Sequence, residues 1–231
     1  MDVARWQGEP VAVVVCSSRA LGEDALELIN ISYEPLPAVT DTMDALSSES
    51  PLIHREYDSN LAWKREVEVG SLDEALSGED VVVVEKQIKF GRHTGVTLET
   101  RATVCDYVSG DDELIMYYAG QAPHMLQFIL AKHLNMLEEN VRVVAHDVGG
   151  SFGIKVHVYP DEMAVTAISK KIGRPVKFIA DRLESFTTDI HARCHKISGK
   201  LGVDKNGKIL AMEIDDLSGS GPLSKYPRTS H

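Results

Sequence analysis

The sequence predicts an α+β fold, and three observations predict it. Short runs rich in β-branched and aromatic residues recur, as in Val81–Phe90, Ala102–Val108, Glu113–Tyr118 and Val176–Ala180. Two Pro-started stretches, Pro123–Leu134 and Pro160–Ile172, carry apolar residues at helical spacing. Two turn signals, Gly110-Asp111-Asp112 and Asp204-Lys205-Asn206-Gly207, each separate strand-like segments and predict hairpins.

In chain order, Pro10–Cys16 reads as a buried strand because Val11, Val13, Val14 and Val15 form a β-branched run. Arg19–Asn30 has helical spacing at Leu21, Ala25, Leu28 and Ile29, and Ile31–Tyr33 reads as a strand stopped by Pro35-Leu36-Pro37. Pro37 to Ser71 is rich in Ser, Asp, Pro and Asn and reads as an extended connection, placing a boundary between Ala38 and Gly70. Ser71–Ser77 is a short helix, with Glu74 three residues after Ser71 at capping-box spacing. After the strands comes helix Pro123–Leu134, whose buried face is Met125, Leu126, Phe128, Ile129, Leu130 and Leu134, and then strand Val141–Ala145. Helix Pro160–Ile172 has Asp161 and Glu162 in its first turn, Lys170 and Lys171 in its last and Gly173 as its stop, which suits the helix dipole. Strand Val176–Ala180 follows, and His195–Val203 and Lys208–Asp216 alternate across the last hairpin.

Composition narrows the function classes. The 231 residues, 43% hydrophobic and 26% charged, suffice for one or two domains with a buried core. A net charge of −11 with scattered lysines argues against nucleic acid or an anionic membrane as partner. Cys16, Cys105 and Cys194 are far apart without a CxxC, which argues against zinc or iron–sulfur ligation; each reads as a buried free thiol in a reducing compartment. No secretory pattern opens the chain and no run approaches the ~20 apolar residues of a membrane span, so the expected location is the cytoplasm.

The most informative stretch runs from Gln121 to Gly153. Pro123 fits the first turn of a helix, which puts Gln121 at the lip of a rigid element. Beyond strand Val141–Ala145, Gly149, Gly150 and Gly153 permit backbone conformations closed to residues with a Cβ, so main-chain N–H groups of Gly149, Gly150, Ser151, Phe152 and Gly153 could converge on an anionic oxygen. A tight strand-to-helix connection without a ligand is the alternative. Neither GxGxxG nor GxxxxGK[ST] is present, which disfavours dinucleotides and P-loop chemistry. His124, His146 and His157 lie nearby without HxH or HExxH spacing, and packing or hydrogen bonding is their simpler role. His191 and His195, with Arg193 between them, would share one strand face. Asp147, Asp181, Glu184 and Glu99 read as solvated or capping carboxylates, and Arg182 and Glu184 as a structural pair.

GQAPH, VRVVAHDVGGSFGIK, YPDEMAV, GRPVKFIADRLESF and HARCHKISGKLGVDKNGKILA, with GEPVAVVV, ISYEPLPAV and TLETRATV upstream, carry a resemblance over nearly the whole chain. The sequence resembles the molybdenum-binding subunit of the xanthine dehydrogenase/aldehyde oxidase family, including aerobic carbon monoxide dehydrogenase large chains. The resemblance implies a molybdenum–molybdopterin cofactor, often the cytosine dinucleotide form, and oxidation of aldehydes, electron-poor heterocycles or CO with water as oxygen source. It implies iron–sulfur and FAD groups on partner subunits or domains, and a homo-oligomer of the assembled enzyme. Gln121 matches the glutamine that hydrogen-bonds an oxo ligand, and Gly150, Ser151, Phe152 and Gly153 match the loop flanking metal and pterin. No direct protein ligand to the metal is implied.

The chain departs from the family at Ala119-Gly120, where Ser-Thr is usual, and at Ser151, where a third glycine is common. Ser151 should fit unless its φ must be positive. Lys155-Val156-His157 stands where xanthine-type members carry a substrate-contacting Glu, which disfavours purine chemistry. The resemblance divides the chain into residues 1–37, closing an α/β hammerhead domain, the connection 38–70, and residues 71–231, the first half of a molybdopterin-binding domain. The general-base glutamate is expected in a second half beyond the YPRTS segment, with earlier hammerhead residues before Asp2. The alternative role is a non-catalytic fragment or split subunit that binds cofactor only with a complementary chain. Either way, an exposed apolar face is expected where other polypeptide would pack.

Overall fold

The computed structural model describes residues 3–223. In chain order its elements are α1 (Arg19–Glu27), α2 (Leu72–Leu76), β1 (Val82–Phe90), β2 (Ala102–Val108), β3 (Glu113–Tyr118), α3 (Pro123–Leu134) and β4 (Val141–Val144). Then follow α4 (Pro160–Ile172), β5 (Val176–Ile179), α5 (Arg182–Thr188), β6 (Cys194–Val203) and β7 (Ile209–Gly219). The described residues fall into two compact units: 3–33 with 94–191, and Glu34–His93 with Ala192–Leu223.

The first unit is built on a four-stranded sheet of order β4-β3-β2-β5, in which β3–β4 is parallel and the other pairs antiparallel. The β2–β3 hairpin closes where Asp112 accepts a left-handed φ of 49°, which short Asp side chains tolerate. The parallel pair needs a crossover, and α3 supplies it. Burial alternates along β2 and β3, so Thr103, Cys105, Leu114, Met116 and Tyr118 turn inward. Cys105, Leu114, Met116 and Tyr118 meet Leu126 and Leu130 of α3, Val141 of β4 and Val165 of α4 in one apolar core. Each buried Leu contributes roughly 1.5–3 kcal/mol to holding the helices on the sheet. Helix α4 begins as its sequence suggests: Pro160 opens it, Glu162 Oε2 accepts the Tyr159 N–H at 3.0 Å, and Gly173 closes it at φ 63°.

The second unit is an antiparallel sheet of order β1-β6-β7. Its last hairpin turns at Gly207, with Asp204 Oδ1 accepting the N–H groups of Asn206 at 2.8 Å and Lys208 at 2.9 Å. Helix α2 packs at Gly202, where an added Cβ would come within 2.2 Å of Leu76 Cδ2. That face also carries the Lys200–Glu85 and Lys196–Asp41 ion pairs. By register and alternation the opposite face carries Val82, Val84, Ile88, Phe90, Met212 and Ile214, all exposed. The connection has no strand; a 3-10 turn, Asp44–Leu46, is stapled by Asn60 Nδ2, which donates to Ala45 O and Pro51 O.

Several expectations are corrected. Pro10–Cys16 and Ile31–Tyr33 form no strand, because β-propensity does not supply a hydrogen-bonding partner, and Val11, Val13 and Val15 stay exposed. Cys16 on that segment is therefore exposed; only Cys105 is buried, with Cys194 intermediate, and all three are free thiols. Strand β6 begins at Cys194, so His191 does not share its alternation with His195. Phe128 is exposed rather than buried on α3. The YPRTS segment lies outside the described residues.

Candidate cofactor-binding site

The site is built where β3 leaves the sheet. Ala119 N–H donates to Ala102 O at 3.0 Å and Gln121 N–H to Lys155 O at 3.2 Å, so the backbone before α3 is tied on both sides. The phenol of Tyr118 fixes the same turn, donating to Lys155 O at 3.3 Å and accepting the Ala122 N–H at 3.1 Å. Burial pushes that phenol up to about 12, so it stays protonated. Gly120 is the residue this turn demands: a Cβ there would run into the Tyr118 ring, which accounts for the glycine at that one position.

The carboxamide of Gln121 faces the glycine loop, where its Oε1 accepts the Ser151 hydroxyl. Positive φ falls on Gly150 (97°), Phe152 (52°) and Gly153 (87°) but not on Ser151, so the serine fits without backbone strain. Of the loop donors, Gly149 N–H donates to Glu99 Oε2 at 2.8 Å and Gly150 N–H to Val148 O at 2.9 Å. The N–H groups of Ser151, Phe152 and Gly153 have no protein acceptor among the described residues. A Cβ added at Gly153 would meet nothing within 4 Å, so the space on that side of the turn is open. Phe152, at a strained φ, projects a side chain that is 78% exposed.

Behind the loop sits a clamp. Lys155 is buried, its Nζ 2.7 Å from Glu99 Oε2, and its N–H donates to Ser151 Oγ at 3.1 Å. The Lys155 ammonium, helped by the Gly149 N–H and opposed by partial burial, holds the Glu99 carboxyl below the usual carboxylate range. The 95–99 segment lines the loop: Cβ atoms added at Gly149 and Gly95 would collide with Glu99 and Phe152 at 2.5 and 2.7 Å. Arg182 does not pair with Glu184; its Nη2 donates to Thr97 O at 2.7 Å and Leu98 O at 2.9 Å, fixing that segment. Glu184 instead completes a capping box with Asp181, so both carboxylates cap α5. The Asp181-x-x-Glu184 spacing is itself a readable local signal for α5.

A second buried group holds the frame and gave no sequence signal. Arg101 Nε lies 2.6 Å from Asp189 Oδ1, Nη1 2.5 Å from Asp161 Oδ1, and Nη2 donates to Thr188 Oγ1 at 2.9 Å. Burial works against its charge, yet the two carboxylates outweigh it and raise its pKa. Its guanidinium lies 3.8 Å from the centroid of the Tyr159 ring, and Tyr159 Oη donates to Ile154 O at 2.9 Å at the end of the loop. Thus α4, α5 and the loop share one anchor.

Of the nearby histidines, His146 stacks on Tyr117, with ring centroids 6.4 Å apart, and His124 is exposed on α3. Among the described residues, no group of three His, Cys, Asp or Glu side chains could hold a metal ion. A groove of about 390 Å³ lined by Phe128, Ile129, Lys132, His133, Val158 and Met163 contains none of the loop residues. What remains at the site is a carboxamide and three unclaimed main-chain donors around an open, partly apolar turn. That donor set fits the oxygens of a metal–pterin group bound through atoms other than protein ligands. Among the described residues no helix is long and apolar enough to cross a membrane.

Residues 53–230 match the family described as the molybdopterin cofactor-binding domain. The chain is 32% identical over 228 residues to the nicotine 6-hydroxylase large subunit of Paenarthrobacter nicotinovorans, covering 99% of this chain and 28% of that protein. It is 29% identical over 233 residues to the carbon monoxide dehydrogenase large chain of Hydrogenophaga pseudoflava, covering 95% and 29%. The crystal structure of quinoline 2-oxidoreductase from Pseudomonas putida 86 superposes with a TM-score of 0.80 at 33% identity, over 91% of this chain and 27% of that one. The chain thus spans 27–29% of the length of these three proteins. It belongs to the molybdopterin cofactor-binding domain family, in the group of molybdenum-binding subunits of the xanthine dehydrogenase and carbon monoxide dehydrogenase type.

Proposed function

We propose that this chain forms one wall of the cofactor site of a molybdenum-dependent oxidoreductase that oxidises an aldehyde, an electron-poor heterocycle or CO with water as oxygen source. The observation that carries the reading is the Gln121 carboxamide turned onto a loop whose Ser151, Phe152 and Gly153 N–H groups are unclaimed among the described residues. When bound, molybdenum–molybdopterin would supply the redox centre and activate water.

The chain's own residues orient and shield. Gln121, through its amide, and the Ser151–Gly153 donors would hold anionic oxygens of the group. Gly149 and Gly150, whose own donors are engaged internally, shape the approach. Phe152 contributes an apolar wall for the substrate. Glu99 is engaged by Lys155 and Gly149 and is not the general base, which comes from polypeptide outside these residues. Within the substrate set, two of the proteins matched above carry N-heterocycles in their names, which supports the heterocycle.

Residues 1–37 close an α/β hammerhead domain, 38–70 connect, and 71–231 form the first half of the cofactor-binding domain in this reading. Iron–sulfur and FAD chains receive the electrons, in a cytoplasmic homo-oligomeric assembly. The exposed apolar face of the β1-β6-β7 sheet supports a companion reading, in which the chain acts as a binding module until further polypeptide covers it. The test is metal and pterin analysis of the assembled protein, followed by assays with an aldehyde, an N-heterocycle and CO against a dye acceptor. Molybdenum with turnover of one class is expected; an assembled protein free of molybdenum and pterin overturns the reading.

A further inference from the structure

We infer that Ser151 is a positioning residue that sets which end of the Gln121 carboxamide faces the cofactor. A glutamine amide has a carbonyl end that accepts and an NH₂ end that donates, and the two are nearly isosteric, so the side chain can point either end at a ligand. An anionic oxygen needs the NH₂ end. At this site the Ser151 hydroxyl lies against Gln121 Oε1, an atom without a proton, so the hydroxyl must be the donor. The hydroxyl is itself anchored, because Lys155 N–H donates to Ser151 Oγ at 3.1 Å and occupies a lone pair. The chain is closed behind it: Lys155 is buried and its ammonium is held by Glu99 at 2.7 Å. The relay Lys155 N–H to Ser151 Oγ–H to Gln121 Oε1 therefore spends the carbonyl internally and leaves Nε2 to donate outward. A glycine at 151 could not do this, and the serine adopts no positive φ in doing so.

The inference rests on the proposed cofactor site, and its test separates the two. Ser151→Ala, Ser151→Thr and Gln121→Ala are compared in the assembled, molybdenum-loaded protein, by metal content and by the Mo(V) electron paramagnetic resonance spectrum after reduction with dithionite, which requires no substrate. Expected are wild-type molybdenum content in all three, a Ser151→Ala spectrum shifted in the same sense as that of Gln121→Ala, and a Ser151→Thr spectrum restored to wild type, since threonine keeps the hydroxyl. A Ser151→Ala spectrum identical to wild type, while Gln121→Ala shifts, overturns the inference and leaves the cofactor reading standing. Loss of molybdenum from Ser151→Ala also overturns it, because retention rather than orientation would then be its role. An unshifted Gln121→Ala spectrum overturns the reading beneath it.

Discussion

Glu99 Oε2 lies 2.7 Å from Lys155 Nζ and accepts the Gly149 N–H at 2.8 Å, so one carboxylate oxygen ties a buried lysine to the first glycine of the loop across 50 residues of sequence. Removing Glu99 leaves the ammonium buried without a counter-charge. Glu99→Ala should cost about 1–2 kcal/mol, less than the ~3–5 of a fully buried pair, because water already reaches this carboxylate. Lys155→Met should cost less than Glu99→Ala, since it removes the buried charge and leaves one that water can solvate. Urea unfolding of the two variants checks the order.

The same pair predicts a pH dependence. Lys155 first, and the Gly149 N–H with it, depress the folded-state pKa of Glu99 below its ordinary 4.5. A depressed carboxylate contributes its stability above the unfolded value and loses it as pH falls through the folded one. The stability gap between wild type and Glu99→Gln should therefore be constant above pH 4.5 and narrow below it, which unfolding curves across that range would show.

Arg101 gives the largest mutational effect expected. With its side chain 4% exposed and paired to Asp161 and Asp189, Arg101→Met strands two carboxylates and should cost about 3–5 kcal/mol. Arg101→Lys should recover little, because an ammonium cannot span three acceptors with a planar fork. Thermal and urea midpoints measure both.

Thiol reactivity follows burial. Burial pushes the Cys105 thiol up to about 12, whereas Cys16 is exposed. Iodoacetamide at about pH 8 should label Cys16 in the folded protein and Cys105 only after denaturation, as read by peptide mass spectrometry.

Much of the frame was legible because its signals are local. Pro123, Pro160, Gly173 and the two hairpin turns state where elements start and stop through the chemistry of single residues, and the helices and strands between 102 and 179 follow them closely. The β-branched run at Val11–Val15 was not legible as it stands, since a strand is defined by a partner that the run does not name. The site divides the same way. The turn itself showed in Gly150 and Gly153, yet the engagement of the Gly149 donor by Glu99 depends on a contact far away in sequence. Ser151 read as a tolerated departure from a glycine; only the fold shows its hydroxyl on Gln121. Arg101 gives no local signal, because only the fold brings Asp161 and Asp189 to it.

The central claim is that the main-chain donors of Ser151, Phe152 and Gly153 are occupied by the cofactor. Residue-resolved hydrogen–deuterium exchange on the assembled protein, with and without molybdenum–molybdopterin, tests it directly. The account predicts that those three amides slow by at least about tenfold on loading, while the Gly149 amide, already bonded to Glu99, changes little. Unchanged exchange at all three, with protection appearing elsewhere in the chain, would contradict it.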